Sequence, residues 1–269
     1  MTLEERVEKL EKELAKMKAG QTVADVICAK KFVVVDAQGE TRAQLFANKD
    51  GVGIGLFDEQ GTLRVNLFET TEGPGLSMFD DKGKIRVTIT VYGDEPILTL
   101  SDGKGTGRVV LGALKVGPGV TLYDEEGTLR AGLAAFKDGP LLTLYDEKRK
   151  ARVGLAAFKT GPVLGLVDGK GRDRATLVVG EDGTKLSLAD NEGRTRVEMK
   201  VDYDSSPQLN LFDEKGKSRA SIEILEDEWA PAIYLCDDEG KPRTEMIVDC
   251  YGPQIYLRDE NGKETWCAP

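Results

Sequence analysis

Residues 117–138 read GPGVTLYDEEGTLRAGLAAFKD, and residues 139–160 read GPLLTLYDEKRKARVGLAAFKT, so one 22-residue pattern is written twice in succession. Each copy has an apolar strand pattern, an Asp, three residues later a Gly or its substitute, and six residues after the Asp an Arg. Working outward in both directions, the Asp recurs at 36, 58, 80, 102, 124, 146, 168, 190, 213, 237 and 259, a step of 22 that stretches once to 23 and once to 24. The glycine recurs at every one of these positions except the sixth, where Arg149 replaces it; the arginine recurs in every unit but the last, where Thr265 stands. Self-similarity at a fixed period defines a repeat architecture before any other reading.

The chemistry of D-x-x-G is that of a tight turn. Asp at the first position accepts hydrogen bonds from backbone N–H groups ahead of it, and Gly takes the left-handed conformation that closes a type I turn with a bulge. Before each Asp the positions minus four and minus two are apolar, as in Ile54 and Leu56 or Leu76 and Met78. After it the positions plus seven and plus nine repeat the pattern, as in Val65 and Leu67 or Val87 and Ile89. Alternation with period two on both sides of a turn predicts an antiparallel hairpin with one apolar face. The other face is mixed, with Thr or Ser at many positions (Thr99, Thr121, Thr143) and an aromatic just before the Asp (Phe57, Tyr123, Tyr145). Counted by parity from position plus seven, the repeated Arg falls on that mixed face, where it is expected to form a ladder of ion pairs with turn acids. Gly-Pro pairs such as Gly117-Pro118, Gly139-Pro140 and Gly161-Pro162 are expected to reverse the chain between units. Arg149 in place of glycine predicts a strained or differently shaped turn.

A lone hairpin is unstable in water, so the units are expected to hide their apolar sides against one another in a shared core. Closure into a pseudo-symmetric ring or barrel is favoured over an open stack, because it removes edge strands. The expected fold is therefore all-β: eleven tandem hairpin repeats of about 22 residues over residues 21–269, preceded by a short coiled-coil helix within residues 1–20.

That helix is read from Leu3, Val7, Leu10, Leu14 and Met17, spaced alternately four and three apart, the seam of a heptad repeat. Thr2 and Glu5 fit a capping box and Gly20 suits the position past the end. With Arg6 and Glu13 at g and Glu11 and Lys18 at e, a parallel pair of identical helices brings opposite charges together. A helix this short needs a cover for its stripe. A second copy is the favoured cover, and docking onto the chain's own β-domain the alternative.

The stretches AKKFVVVD at 29–36 and DAQGETR at 36–42, with their recurrences, resemble a group of uncharacterised bacterial repeat proteins with the β-flower fold. The resemblance covers about residues 23–267 and implies hairpin petals around a shallow barrel lined by apolar side chains. It implies, by architectural likeness to tubby-type barrels, binding of lipid or another hydrophobic ligand. In similar proteins a coiled coil is often followed by a membrane-spanning or lipid-anchor segment; residues 19–25 carry none.

Composition narrows the function classes. The net charge of −10 argues against a phosphate backbone or an anionic bilayer as partner, and no apolar run approaches the roughly 18 to 20 residues that cross a bilayer. With no exported-type leader, a cytoplasmic location is expected. The absence of histidine removes Ser-His-Asp and Cys-His systems and the commonest zinc ligand. Cys28, Cys236, Cys250 and Cys267 form no CxxC pair and read as half-buried thiols. The glycine-rich residues 103–107 lack a following helix and read as a hairpin turn, and acidic turns such as Asp80-Asp81 match no calcium-loop spacing. No enzyme activity, metal or cofactor is expected. Two functions remain: a structural or interaction scaffold oligomerised through its helix, or a carrier whose barrel interior, lined by Leu98, Leu100, Val109, Leu111, Leu142, Leu144, Val153 and Leu155, accepts a lipid or other hydrophobic molecule. Irregular spacing near Ser205 and Trp229 marks the loops most suited to a partner.

Overall fold

The computed structural model describes residues 2–18, 28–49, 51–203, 205–225 and 229–268. The chain divides into two compact units, Met1–Thr71 and Glu72–Pro269.

The first unit opens with helix α1 (Leu3–Lys18). Its start is closed by the expected capping box: the Thr2 amide donates to Glu5 Oε2 at 2.7 Å, and the Glu5 amide donates to Thr2 Oγ1 at 3.3 Å. Gly20 and the side chain of Met17 lie outside the described residues. Strands β1 (Lys31–Val35), β2 (Thr41–Asn48), β3 (Gly51–Phe57) and β4 (Leu63–Thr70) follow, each antiparallel to the one before. The second unit holds eighteen more strands, from β5 (Gly73–Phe79) to β22 (Glu264–Ala268), again paired antiparallel in chain order and only with chain neighbours.

The eleven Asp turns share one geometry. In the turn at Asp102, the carboxylate Oδ1 accepts from the amides of Lys104 (2.8 Å) and Thr106 (3.1 Å), while the Gly105 amide donates to the Asp102 carbonyl at 3.0 Å. The Asp102 amide then donates to the Thr106 carbonyl at 2.9 Å, the first rung of the hairpin ladder. Gly105 sits at φ +90°, a left-handed conformation that a Cβ disfavours. Arg149 adopts the same conformation, with φ +60°, and its amide reaches the Asp146 carbonyl at 3.1 Å as the glycines' do. The turn is therefore strained but of the ordinary shape, against the expectation of a different one. The ten other turns show that the two carboxylate hydrogen bonds and the ladder dictate the shape, and the sixth residue type must comply.

Two further expectations change. The reversals between hairpins are made by the two residues before each Gly-Pro pair, since Phe136 pairs with Gly139 and Ala135 with Pro140, leaving Lys137 and Asp138 as the loop. Gly139 and Pro140 already belong to the next strand, whose ladder on its other side starts only at Leu141, so a residue without an N–H is tolerated there. Gly139 has φ +136°, and a Cβ on it would lie 2.1 Å from the Ala157 carbonyl oxygen. The repeated Arg, in turn, sits in a bulge. Tyr123 pairs with Leu129 but Leu122 with Ala131, so Arg130 is the extra residue, and parity counted from position plus seven does not fix its face.

The closed barrel is not what the chain forms. Among the described residues β1 pairs with β2 alone and β22 with β21 alone, so the run of strands stays open. These first and last strands have five residues each, where most of the others have seven or eight, and short edges limit edge-to-edge pairing. A shared core is absent among the described residues as well. Within each unit the strands pair only with chain neighbours and form one layer, with no second described layer for the apolar side chains to meet. The buried apolar side chains among the described residues are the small Ala156, Ala230 and Ala232.

Relieving the strained turn should be measurable. Arg149→Gly is expected to stabilise the chain by about 0.5–1 kcal/mol in urea unfolding, the cost of a left-handed L-residue less the extra freedom of glycine in the unfolded chain. Gly139→Ala should destabilise it by about 1–3 kcal/mol, because the methyl group meets a carbonyl oxygen that the ladder holds in place.

Candidate interaction face

The apolar positions of the hairpins line up across the second unit as rows on one face. One row runs in register through Leu98, Leu111, Val120, Leu133, Leu142 and Leu155, and the row beside it through Leu100, Val109, Leu122, Ala131, Leu144 and Val153. Both continue to either end of the unit, to Leu76 and Met78 on one side and Trp266 and Ala268 on the other. No charged residue occupies either row, and the one polar residue is Thr244. A third row adds Ala and Val against Pro, as in Ala113 with Pro118 and Ala157 with Pro162.

All eight residues expected to line a barrel interior lie on this face, in cross-strand pairs: Leu98 with Leu111, Leu100 with Val109, Leu142 with Leu155, and Leu144 with Val153. They are brought together as expected but enclose nothing. Leu111 is 51 % exposed and Leu155 48 %, with Leu100 and Leu144 also exposed and the other four half-buried. A leucine left half in water forgoes about 1 kcal/mol of the burial free energy available to it. Repeated across the unit, that makes this face the largest unsatisfied feature of the chain.

The opposite face changes character along the unit. Between Ile97 and Tyr145 small residues (Gly112, Gly132, Ala134) leave a shallow apolar hollow of about 300 Å³ bordered by Leu114, Phe136 and Leu141. Towards the C-terminus the same face becomes polar, with Glu198, Asn210, Ser221, Tyr234, Glu245 and Tyr256 in one in-register row. There Arg258 donates to Glu245 at 2.6 Å and lies 5.6 Å from the Tyr256 ring centre. Burial, with the charges of Glu245 and Glu223 beside it, pushes the Tyr234 hydroxyl above the ordinary tyrosine value. Sequence reading missed this row; its signal is tyrosine at 234 and 256, where most other units carry Thr, Ser or Gly.

The charged rim follows from the repeated Asp and Arg. Each Arg pairs with the Asp of its own turn, as in Arg64 with Asp58 (3.2 Å) and Arg108 with Asp102 (3.3 Å). In four of them Nε also crosses to the next hairpin: Arg86 donates to the Ser101 carbonyl and Arg108 to the Tyr123 carbonyl, each at 2.9 Å, and Arg174 and Arg219 do the same to Ala189 and Cys236. The Arg is thus held by its own Asp and, where its Nε crosses over, staples one hairpin to the next. Backbone hydrogen bonds from Lys84 hold the Asp80 carboxyl below its ordinary value, and those from Lys217 do the same for Asp213. At Asp168 the hydrogen bonds of Arg172 are the larger cause, and the shift is in the same direction.

At the helix, Leu3, Val7, Leu10 and Leu14 are all exposed, from 46 % to 78 %, so among the described residues of the first unit no docking onto β1–β4 is found. Of the cysteines only Cys236 is half-buried, and burial pushes its thiol up; Cys28, Cys250 and Cys267 are exposed, contrary to expectation. Trp229 is 60 % exposed at a left-handed turn position. No helix among the described residues is long and apolar enough to cross a membrane.

The fold is a repeating antiparallel β-hairpin sheet, and its second unit has one charge-free face. No family model and no curated protein matches the chain. Among solved structures it is similar to a TcdB2-TccC3 toxin complex, at 11 % identity and a TM-score of 0.21 over 88 % of this chain. It is also similar to Hsv2 of Kluyveromyces marxianus, at 8 % identity and a TM-score of 0.22 over 88 % of this chain and 97 % of that one. The chain spans 17 % of the toxin complex chain. Scores this low define no common fold, and the β-flower family gains no support from them beyond a repeating hairpin sheet.

The lowered carboxyls set a pH dependence. Because these Asp groups bind protons less readily folded than unfolded, their contribution is complete above the ordinary Asp value of about 3.9 and is lost as pH falls through the lower folded values. Urea midpoints should therefore stay level from pH 7 to about 5 and fall below about pH 4; a loss already complete at pH 5 would contradict the turn assignment.

Proposed function

We propose that the protein is a non-enzymatic interaction scaffold, assembled as a homo-oligomer through its N-terminal helix. The observation that carries this reading is the uniformity of the units: eleven turns spend the same Asp on the same backbone amides, and ten Arg residues are spent on those Asp carboxylates. Turn and Arg repeat in the same way along the chain, and every hairpin of the second unit contributes to one continuous apolar face. The helix supports assembly because its seam is exposed and its flanking charges suit a parallel copy.

The carrier reading draws less support, since an open sheet has no enclosed interior and none of its eight lining residues borders the hollow on the opposite face. Native mass spectrometry of the freshly purified chain tests both. The scaffold predicts an oligomer of bare chains, and a bound lipid or other small molecule in stoichiometric amount would favour the carrier instead. Val7→Glu with Leu14→Glu should then lower the subunit count or weaken assembly at least tenfold; unchanged assembly leaves the helix without that role.

A further inference from the structure

We infer that the charge-free face of the second unit packs against the same face of a second copy of this chain, about a twofold axis. The inference deepens the scaffold reading by naming the partner of that face. Three observations carry it.

The first is area. Eighteen strands at about 4.8 Å spacing give a face about 80 Å long, and three side-chain rows make it about 20 Å wide, on the order of 1,600 Å² per copy. A stable, specific interface needs about 800 Å² per partner. The chain as a whole exposes 18579 Å², where a compact protein of 29.3 kDa exposes about 11,500 Å².

The second is relief. Along one row this face presents Leu111, Leu133 and Leu155, each about half exposed. Further along, the same face sinks into two mainly apolar hollows of about 400 and 310 Å³, the first lined by Leu186 and Met199 and edged by Lys200, Gln208 and Glu223, the second lined by Ile233 and Met246. A twofold axis sets these leucines of each copy against the hollows of its partner, so the contact is made twice and closes on itself. The alternation of Leu with Ala or Val along one row supplies matching knobs and gaps at every second strand.

The third is charge. A foreign protein is selected across an interface largely by polar and charged complementarity, and this face offers none. A membrane surface fits poorly with a chain of net charge −10. An identical apolar face needs no charge to match.

The test uses the full chain with Leu10→Glu, which breaks the helix seam and leaves the sheet intact. Sedimentation equilibrium should still give twice 29.3 kDa. Adding Leu111→Glu, Leu133→Glu and Leu155→Glu should give the single-chain mass with an unchanged β-type far-UV spectrum. Should the Glu variant lose that spectrum, the same three positions changed to Thr, a good strand former, should weaken dimerisation at least tenfold. A monomeric Leu10→Glu chain beside a dimeric wild type overturns the sheet interface and leaves the helix reading standing. A dimer that survives the Glu or Thr changes overturns it too, as does a monomer carrying copurified lipid on this face, which would instead revive the carrier. A wild-type monomer of bare chain overturns the interface and the helix reading together.

Discussion

The Asp carboxylate of each turn is the contact on which the rest of the sheet depends. One of its oxygens satisfies two backbone amides, and so forces the next residues into a turn that ends in the left-handed conformation. Its other oxygen faces the Arg that the bulge turns back towards it, and the Arg spends its remaining capacity on a carbonyl of the following hairpin. A local turn signal is thereby converted into a link between units. The Asp–Arg pair is written in ten of the eleven units, and Arg86, Arg108, Arg174, Arg219 and Arg243 extend it to a carbonyl of the following hairpin, so each such hairpin is tied to its neighbour in chain order.

A single layer follows from that order, and it explains why a sequence with ordinary apolar content builds so little interior. Side chains on one face of a lone sheet shield each other only sideways, which is why the leucines of the central rows sit near half exposure instead of being buried. The opposite face copes by using small residues beneath aromatic ones in its middle stretch and by cross-strand polar pairs near the C-terminus. The charge-free face of the second unit has no such device.

Much of the architecture is legible in the sequence because it is local. The turn, the alternation at minus four, minus two, plus seven and plus nine, and the capping box of Thr2 and Glu5 depend on residues within a few positions of each other, and all are found. What failed depends on longer range. Closure was argued from the general disadvantage of edge strands, yet no residue in β1 or β22 encodes it, and two short strands answer the same problem more simply. Burial of Leu98 or Leu155 was argued from hydrophobicity, which says that a side chain prefers cover but not what supplies it. The Arg was placed by parity, and one bulge is enough to break that count. Tyr234 and Tyr256 departed from the repeat in plain view, but only the register reveals that they join Glu245 in one row.

The openness of the sheet is the claim from which the unpaired edges and the uncovered face both follow, and amide hydrogen exchange addresses it directly. In an open sheet, alternate amides of residues 31–35 and 264–268 point away from their one neighbour and exchange at nearly unprotected rates, while the others in those strands are slowed. Protection of every amide in both strands would mean that each has a partner on both sides, and would contradict the open sheet.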